Sequence, residues 1–303
     1  MTVPSEVPGD LPEAAVRRFA EGAFTSGLTV PDFAACLQMG LEPVGFTQGY
    51  CVMQWQWYGM SPMGMGGGFG SQWGGIRGYS ETWNCPHGFV SGEHRSWGQN
   101  YEQAWVEDAW TVGFTTAYDR MVEEAASGGA HGIVGVVDTC QPLSDMGVLE
   151  FRVQGTAVRV TDGDPPSDGR PWTTYLAGQR LTKLVEAGYA PVSIAASVAS
   201  VRVWANCVTQ YLTEGSNSMF ASATAGSEIT QTVTAQTVAR KLATQRVRTQ
   251  LGHDSLHGAA MSTVQRQLGE GDAEVECTLR GNRVRRFKEF DPMPAPQPTV
   301  RLL

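Results

Sequence analysis

One stretch of this chain is written twice, and that limits its possible folds more than any other feature. Gly40-Leu41-Glu42-Pro43-Val44 reappears as Gly188-Tyr189-Ala190-Pro191-Val192, an offset of 148 residues. Arg120-Met121-Val122, His131-Gly132 and the run from Glu150 to Gly155 reappear as Arg246-Val247-Arg248, His257-Gly258 and the run from Glu276 to Gly281, an offset of 126. The 22-residue difference falls in the Gly/Met/Trp stretch between Met53 and Asn100. Two copies of one module point to an assembly unit that packs against its own kind. They argue against two half-sites built for different chemistry.

The repeat divides the 303 residues into parts. The expected boundaries are an N-terminal helix and arm (1–23), a first module (24–160) with an insertion at about 54–99, a linker (161–171), a second module (172–288) and a proline-rich tail (289–303). Hydrophobic content of 42% suits globular cores. A net charge of −8 weighs against nucleic acid or an anionic membrane as the main partner. No run approaches the ~18 apolar residues of a spanning helix, so membrane insertion is not expected. The polar, proline-bearing start lacks a secretory signal pattern. The six cysteines do not coincide between repeats, so reduced thiols and a cytoplasmic location are expected.

Each module carries the same order of signals. A short helix ends on Gly40 and on Gly188. A strand follows, alternating clearly from Val192 to Val198 and less clearly from Val44 to Tyr50. A long helix comes next, from about Asn100 to Ser127 and along the stripe Ala235, Ala239, Ala243, Val247 and Leu251. Two strands close each module. Gly132 to Val137 is continuously apolar, whereas Gly258 to Val264 is weaker. In the last strand the apolar phase changes around Gly155 and, in the copy, around Gly281. A glycine at both changes predicts a β-bulge that bends an edge strand toward a neighbouring subunit. Glu150 and Glu276 are expected to pair with Arg120 and Arg246 of the same or a neighbouring copy.

The series Thr25-Ser26, Gly40-x-x-Pro43-Val44-Gly45, Arg120-Met121 through Gly128, Ala130-His131-Gly132-Ile133-Val134-Gly135-Val136, and Glu150-Phe151 with Gly155-Thr156-Ala157-Val158 resembles the YbjQ family of heavy-metal-binding proteins. The resemblance covers nearly all of the first module outside its insertion and a more diverged second one. It implies an α/β fold of the two-layer α+β kind, similar to the dodecin-like class, with one long helix on a small antiparallel sheet in each module. It also implies rings. Two fused modules per chain would give a five-chain, two-tier ring, with no reaction attached.

Metal chemistry has two candidates. Cys85-Pro86-His87 with His94 offers thiolate and imidazole donors suited to zinc or copper. Three ligands fall one short of a structural zinc set, so ordinary loop residues are the competing reading. Met53, Met60, Met63 and Met65, interleaved with Trp55 and Trp57, fit either Cu(I) thioether binding or an apolar self-association loop. His253 and His257 would share a face only in a helix, and Gly252 favours a turn. The tail prolines 292, 294, 296 and 298 suit an extended end, or a docking peptide for another protein. No Ser-His-Asp order or phosphate loop is present. The reading is a non-enzymatic, self-assembling protein, with a metal buffer or sensor as the alternative.

Overall fold

The computed structural model describes residues 25–54, 82–84, 91–93, 98–144, 148–161, 169–214, 228–269 and 271–289. It is a mixed α/β protein with two four-stranded sheets, each packed against one long helix. The first sheet has the order β1 (Leu41–Gln54), β6 (Val148–Val160), β5 (Gly132–Ser144), β7 (Trp172–Thr173). The second has the order β4 (Asn100–Glu102), β8 (Tyr189–Val203), β10 (Asp272–Arg286), β9 (Ser255–Gly269). A separate pair joins β2 (Thr82–Asn84) to β3 (Ser91–Glu93).

The helices follow from apolar spacing. Helix α1 (Val30–Gln38) starts at Thr29, whose hydroxyl caps Asp32 N–H. Helix α2 (Ala104–Ser127) buries Val106, Trp110, Gly113, Ala117, Met121 and Ala125, one residue per turn on one face. Helix α3 (Gly178–Glu186) buries Leu181 and Leu184. Helix α4 (Cys207–Glu214) has no counterpart among the sequence expectations. Helix α5 (Thr230–Leu251) buries Ala235, Ala239, Ala243, Val247 and Leu251.

Small residues set the helix-to-sheet distance. A Cβ on Gly49 would lie 1.9 Å from the Ala117 carbonyl oxygen, and one on Gly113 would lie 2.3 Å from Cε2 of Phe151. The backbones therefore touch where a larger residue would hold them apart. Burying the Phe151, Met121 and Ile133 side chains contributes about 1.5–3 kcal/mol each.

The two halves match in detail. In each, the long helix is followed by a strand hairpin whose second strand lies in the middle, beside the strand that precedes the helix. Arg120 donates to the Tyr50 carbonyl at 2.5 Å, and Arg246 donates to the Val198 carbonyl at 2.7 Å. The arginines stand 126 residues apart and their acceptors 148 apart, the same two offsets that the sequence shows.

One equivalence moves. Gly132 faces Val158 on β6, and Ser255 faces Val284 on β10. Here the offset is 123, because relative to the matched arginines α5 ends two residues earlier than α2 and the turn after it is one residue shorter. His131 is therefore not the partner of His257. His131 lies in the turn and accepts the Val160 N–H, while His257 is an exposed residue within β9.

The expected bulges lie on the facing strands. The pairing of β6 with β1 runs unbroken through Gly155, and that of β10 with β8 runs unbroken through Gly281. The slips fall opposite, between Val134 and Val137 on β5 and across Gly258 on β9. Gly135 (φ 61°) and Gly258 (φ 64°) supply the left-handed residue of each bulge. The phase change in the sequence has another cause. Phe151, Val153 and Ala157 face the core under α2, whereas Val158 faces a second core shared with Cys36, Leu181, Leu184 and Val284. The strand passes from one-sided to two-sided burial where its register with β1 shifts, between Ala157, which faces Gly45, and Val158, which faces Pro43.

Candidate functional site

The halves are joined by exchange. Strand β4 lies in the chain just before α2, yet it pairs with β8 of the second sheet. Strand β7 lies just before α3, yet it pairs in parallel with β5 of the first sheet. The contact continues past β7, with Thr174 N–H on the Ile133 carbonyl, Val136 N–H on the Thr174 carbonyl and Gly135 N–H on the Leu176 carbonyl. The Thr173 hydroxyl receives Ile194 N–H at 2.9 Å and meets the Tyr118 hydroxyl at 3.0 Å. Asn282 receives the Thr174 hydroxyl at 2.8 Å and Tyr175 N–H at 2.7 Å.

Charge is concentrated at this junction. Arg246 of α5 reaches Glu102 at 2.5 Å and also pairs with Glu107 of α2. Glu107 is buried and accepts Ser200 N–H at 3.0 Å. Arg280 of β10 lies 3.2 Å from the Asp138 carboxylate of β5. Burial raises the Asp138 carboxyl above its ordinary range, and Arg280 offsets part of that rise. Burial, reinforced by Asp138, also pushes the Tyr175 phenol far upward. The Cys140 thiol is pushed up to about 11 by burial and by the Glu276 carboxylate. Glu107 and Asp138 are thus each engaged by an arginine of the other half, Arg246 and Arg280; the desolvation of such a buried pair offsets much of its attraction.

The outer faces of the matched strands differ sharply in exposure. On β8, Ile194, Ala196, Val198 and Ser200 are buried. Their counterparts on β1 are half-buried Phe46 and Gln48 and exposed Tyr50 and Val52. The other edge is as open. From Ser255 to Gly269, β9 is exposed at every position but Leu256, including Met261, Val264 and Leu268. A cleft of about 540 Å3 between α5 and β9 is lined by Arg240, Lys241, Thr244, Arg248 and Met261. A long exposed strand edge is a pairing site for another chain unless something covers it.

The candidate metal residues Cys85, His87 and His94 lie outside the described residues, as do Met60, Met63, Met65, Trp55, Trp57 and the proline-rich tail from residue 290. Met53 packs partly buried against the first core. Among the described residues there is no group of three His, Cys, Asp or Glu side chains placed to hold a metal ion. Among them, too, no helix is long and apolar enough to cross a membrane. Among the described residues, Cys36, Cys51, Cys140 and Cys277 are free thiols.

The proposed acid–base pairs are arranged differently from the expectation. Within the chain Glu150 is met by Gln141 at 2.9 Å and Arg152 at 3.1 Å, which hold its carboxyl below the usual range. Glu276 pairs with Arg266 at 3.3 Å. Gly155 and Gly281 sit in central strands, where added Cβ atoms would strike Ile133 and Leu256. The junction acids Glu102, Glu107 and Asp138 were not singled out in the sequence. Glu107 carried the one usable signal, a carboxylate beside Val106 on the apolar face of a helix.

No family model matches this chain. No solved structure matches it either. The resemblance to the YbjQ family, with the heavy-metal-binding role and the pentameric ring it implied, is therefore corrected. The chain is similar to an encapsulin nanocompartment protein of Mycobacterium tuberculosis, 28% identical over 244 residues that cover 79% of this chain and 76% of that one.

Proposed function

We propose that this protein is a non-enzymatic, self-assembling subunit made of two copies of one module, with boundaries near residues 24–160 and 172–288. The observation that carries the reading is the unequal burial of matched strands: β8 is covered on both faces, whereas the outer face of β1 and nearly all of β9 are open. A stable monomer seldom leaves a fifteen-residue edge strand bare. The similar protein's name, a nanocompartment protein, supports the same class of role. Two buried acids between the halves, Glu107 and Asp138, are engaged by Arg246 and Arg280, which fits a structural role for that junction.

Light scattering coupled to gel filtration, with native mass spectrometry, tests the proposal at micromolar concentration. The expected result is a discrete particle of several chains. A single species at the 32.7 kDa chain mass would end the proposal.

A further inference from the structure

The junction inside the chain is made only once, yet each half carries both of its surfaces. The first half presents the β5 edge, Glu102 and Glu107 to the second. The second half answers with residues 172–176, Arg246 and the outer face of β8. The equivalent surfaces on the opposite ends are more exposed. On the second half these are the β9 edge, Glu228 and Val233; on the first they are residues 25–28, Arg120 and the outer face of β1.

We propose that the second half of one chain docks on the first half of the next through this same junction, giving a head-to-tail assembly whose partner is a second copy of the chain. The inference rests on the self-assembly reading above and specifies its interface.

Residues 25–28 match residues 173–176 at the offset of 148, and both segments touch their own central strand in the same way. Gly27 N–H bonds Thr156 at 3.1 Å, as Tyr175 N–H bonds Asn282 at 2.7 Å. Thr173 and Thr174 are fully buried by the β5 edge, but Thr25 is exposed and Ser26 half-buried. The receiving edge repeats too, with Gly258 in the bulge position of Gly135. In the docked chain, Ser26 and Leu28 carbonyls accept the N–H groups of Ala259 and Gly258, as Thr174 and Leu176 accept those of Val136 and Gly135.

Side chains at the matched positions are complementary. Arg246–Glu102 becomes Arg120–Glu228, at the same offset of 126, and both of those residues are now in solvent. Glu107 against Ser200 becomes Val233 against Val52, which accounts for the exposure of both valines in the isolated chain. The cleft between α5 and β9 receives Phe46, Gln48 and Tyr50, as α2 receives Ile194, Ala196 and Val198. Such an interface is heterologous, so the series continues or closes according to the rotation per chain.

Variants blocked at one end only provide the test. Val52→Asp disables the first-half surface and Val233→Asp the second-half surface; both residues are exposed, so each variant should keep the wild-type circular dichroism spectrum. Each alone should be monomeric at micromolar concentration. Mixed, they should form a one-to-one dimer and nothing larger, because one intact surface of each kind remains. Arg120→Glu should weaken assembly at least tenfold and Glu228→Arg should restore it in the double variant. A wild-type monomer would defeat the self-assembly reading itself. A wild-type assembly that survives Val52→Asp and Val233→Asp, or a mixture that stays monomeric, would overturn this junction alone.

Discussion

Arg280 on β10 and Asp138 on β5 meet at 3.2 Å across the two halves of the chain, with the carboxylate almost wholly out of solvent. Burial raises the Asp138 carboxyl more than the guanidinium lowers it. The folded state thus holds this proton more tightly than the unfolded chain, whose carboxyl titrates near 3.9. The stability from this group is fully present below that value and is lost as pH rises through the folded pKa. Asp138→Asn should therefore be closer to wild type in stability at pH 7 than at low pH, since the charged form of the aspartate is the costly one. Acidification toward pH ~4 should then favour wild type over the variant. Urea melts at several pH values check this; a gap to wild type that narrows on acidification would contradict the sign.

Asp254 has the opposite sense. It lies in the turn after α5 and receives Arg283 at 2.6 Å and Arg285 at 2.9 Å. The Arg285 hydrogen bond is the main reason its carboxyl is held below the usual range, outweighing a smaller upward push from burial. Its contribution is present above the unfolded value near 3.9 and disappears as pH falls through the lowered folded pKa. Asp254→Asn should lower the melting temperature at pH 7, and the gap to wild type should close below pH ~4. A gap that widens on acidification would refute the pairing as the cause.

Gly49→Ala should be among the most damaging small substitutions. The new methyl would press on the Ala117 carbonyl and on Met121 N at 2.7 Å, both of them helix backbone. Neither can rotate away, so α2 must lift from the sheet at a cost of about 3 kcal/mol or more. Gly45→Ala, with nothing within 4 Å of its added Cβ, is the control and should stay within ~0.5 kcal/mol of wild type. Chemical denaturation of the pair decides the matter.

Gly135→Ala and Gly258→Ala each force an L-residue into a left-handed conformation, at φ 61° and 64°. Each should cost about 1–2 kcal/mol from backbone strain, since the nearest neighbours of the new methyls are no closer than 3.4 Å. Equal losses in the two variants, measured by thermal melts, would mark the two bulges as the same device. A neutral Gly258→Ala would show that the β9 bulge is not needed for folding.

The helices and the core strands were legible because their cause is local. Ala117, Met121 and Ala125, or Ala239, Ala243 and Val247, recur at one turn and need no partner to be recognised as a face. Gly40 and Gly188 mark helix ends for a reason that each residue carries itself. Where several faces compete, the signal was ambiguous. Val153 and Val158 look like a broken alternation, but they belong to two cores on opposite sides of one strand.

The sequence by itself indicated a repeated order of elements, and it determined helix faces of small residues that let a sheet lie close. Only the tertiary structure decided that the sets exchange strands, that Glu107 and Asp138 are ion-pair partners rather than surface acids, and that part of the outer face of β1 and nearly all of β9 are open to solvent. Periodicity records which residues of one element face inward. Pairing between elements far apart in the chain is set by backbone hydrogen bonds, which any residue but proline can supply, and so leaves no mark in the order of side chains.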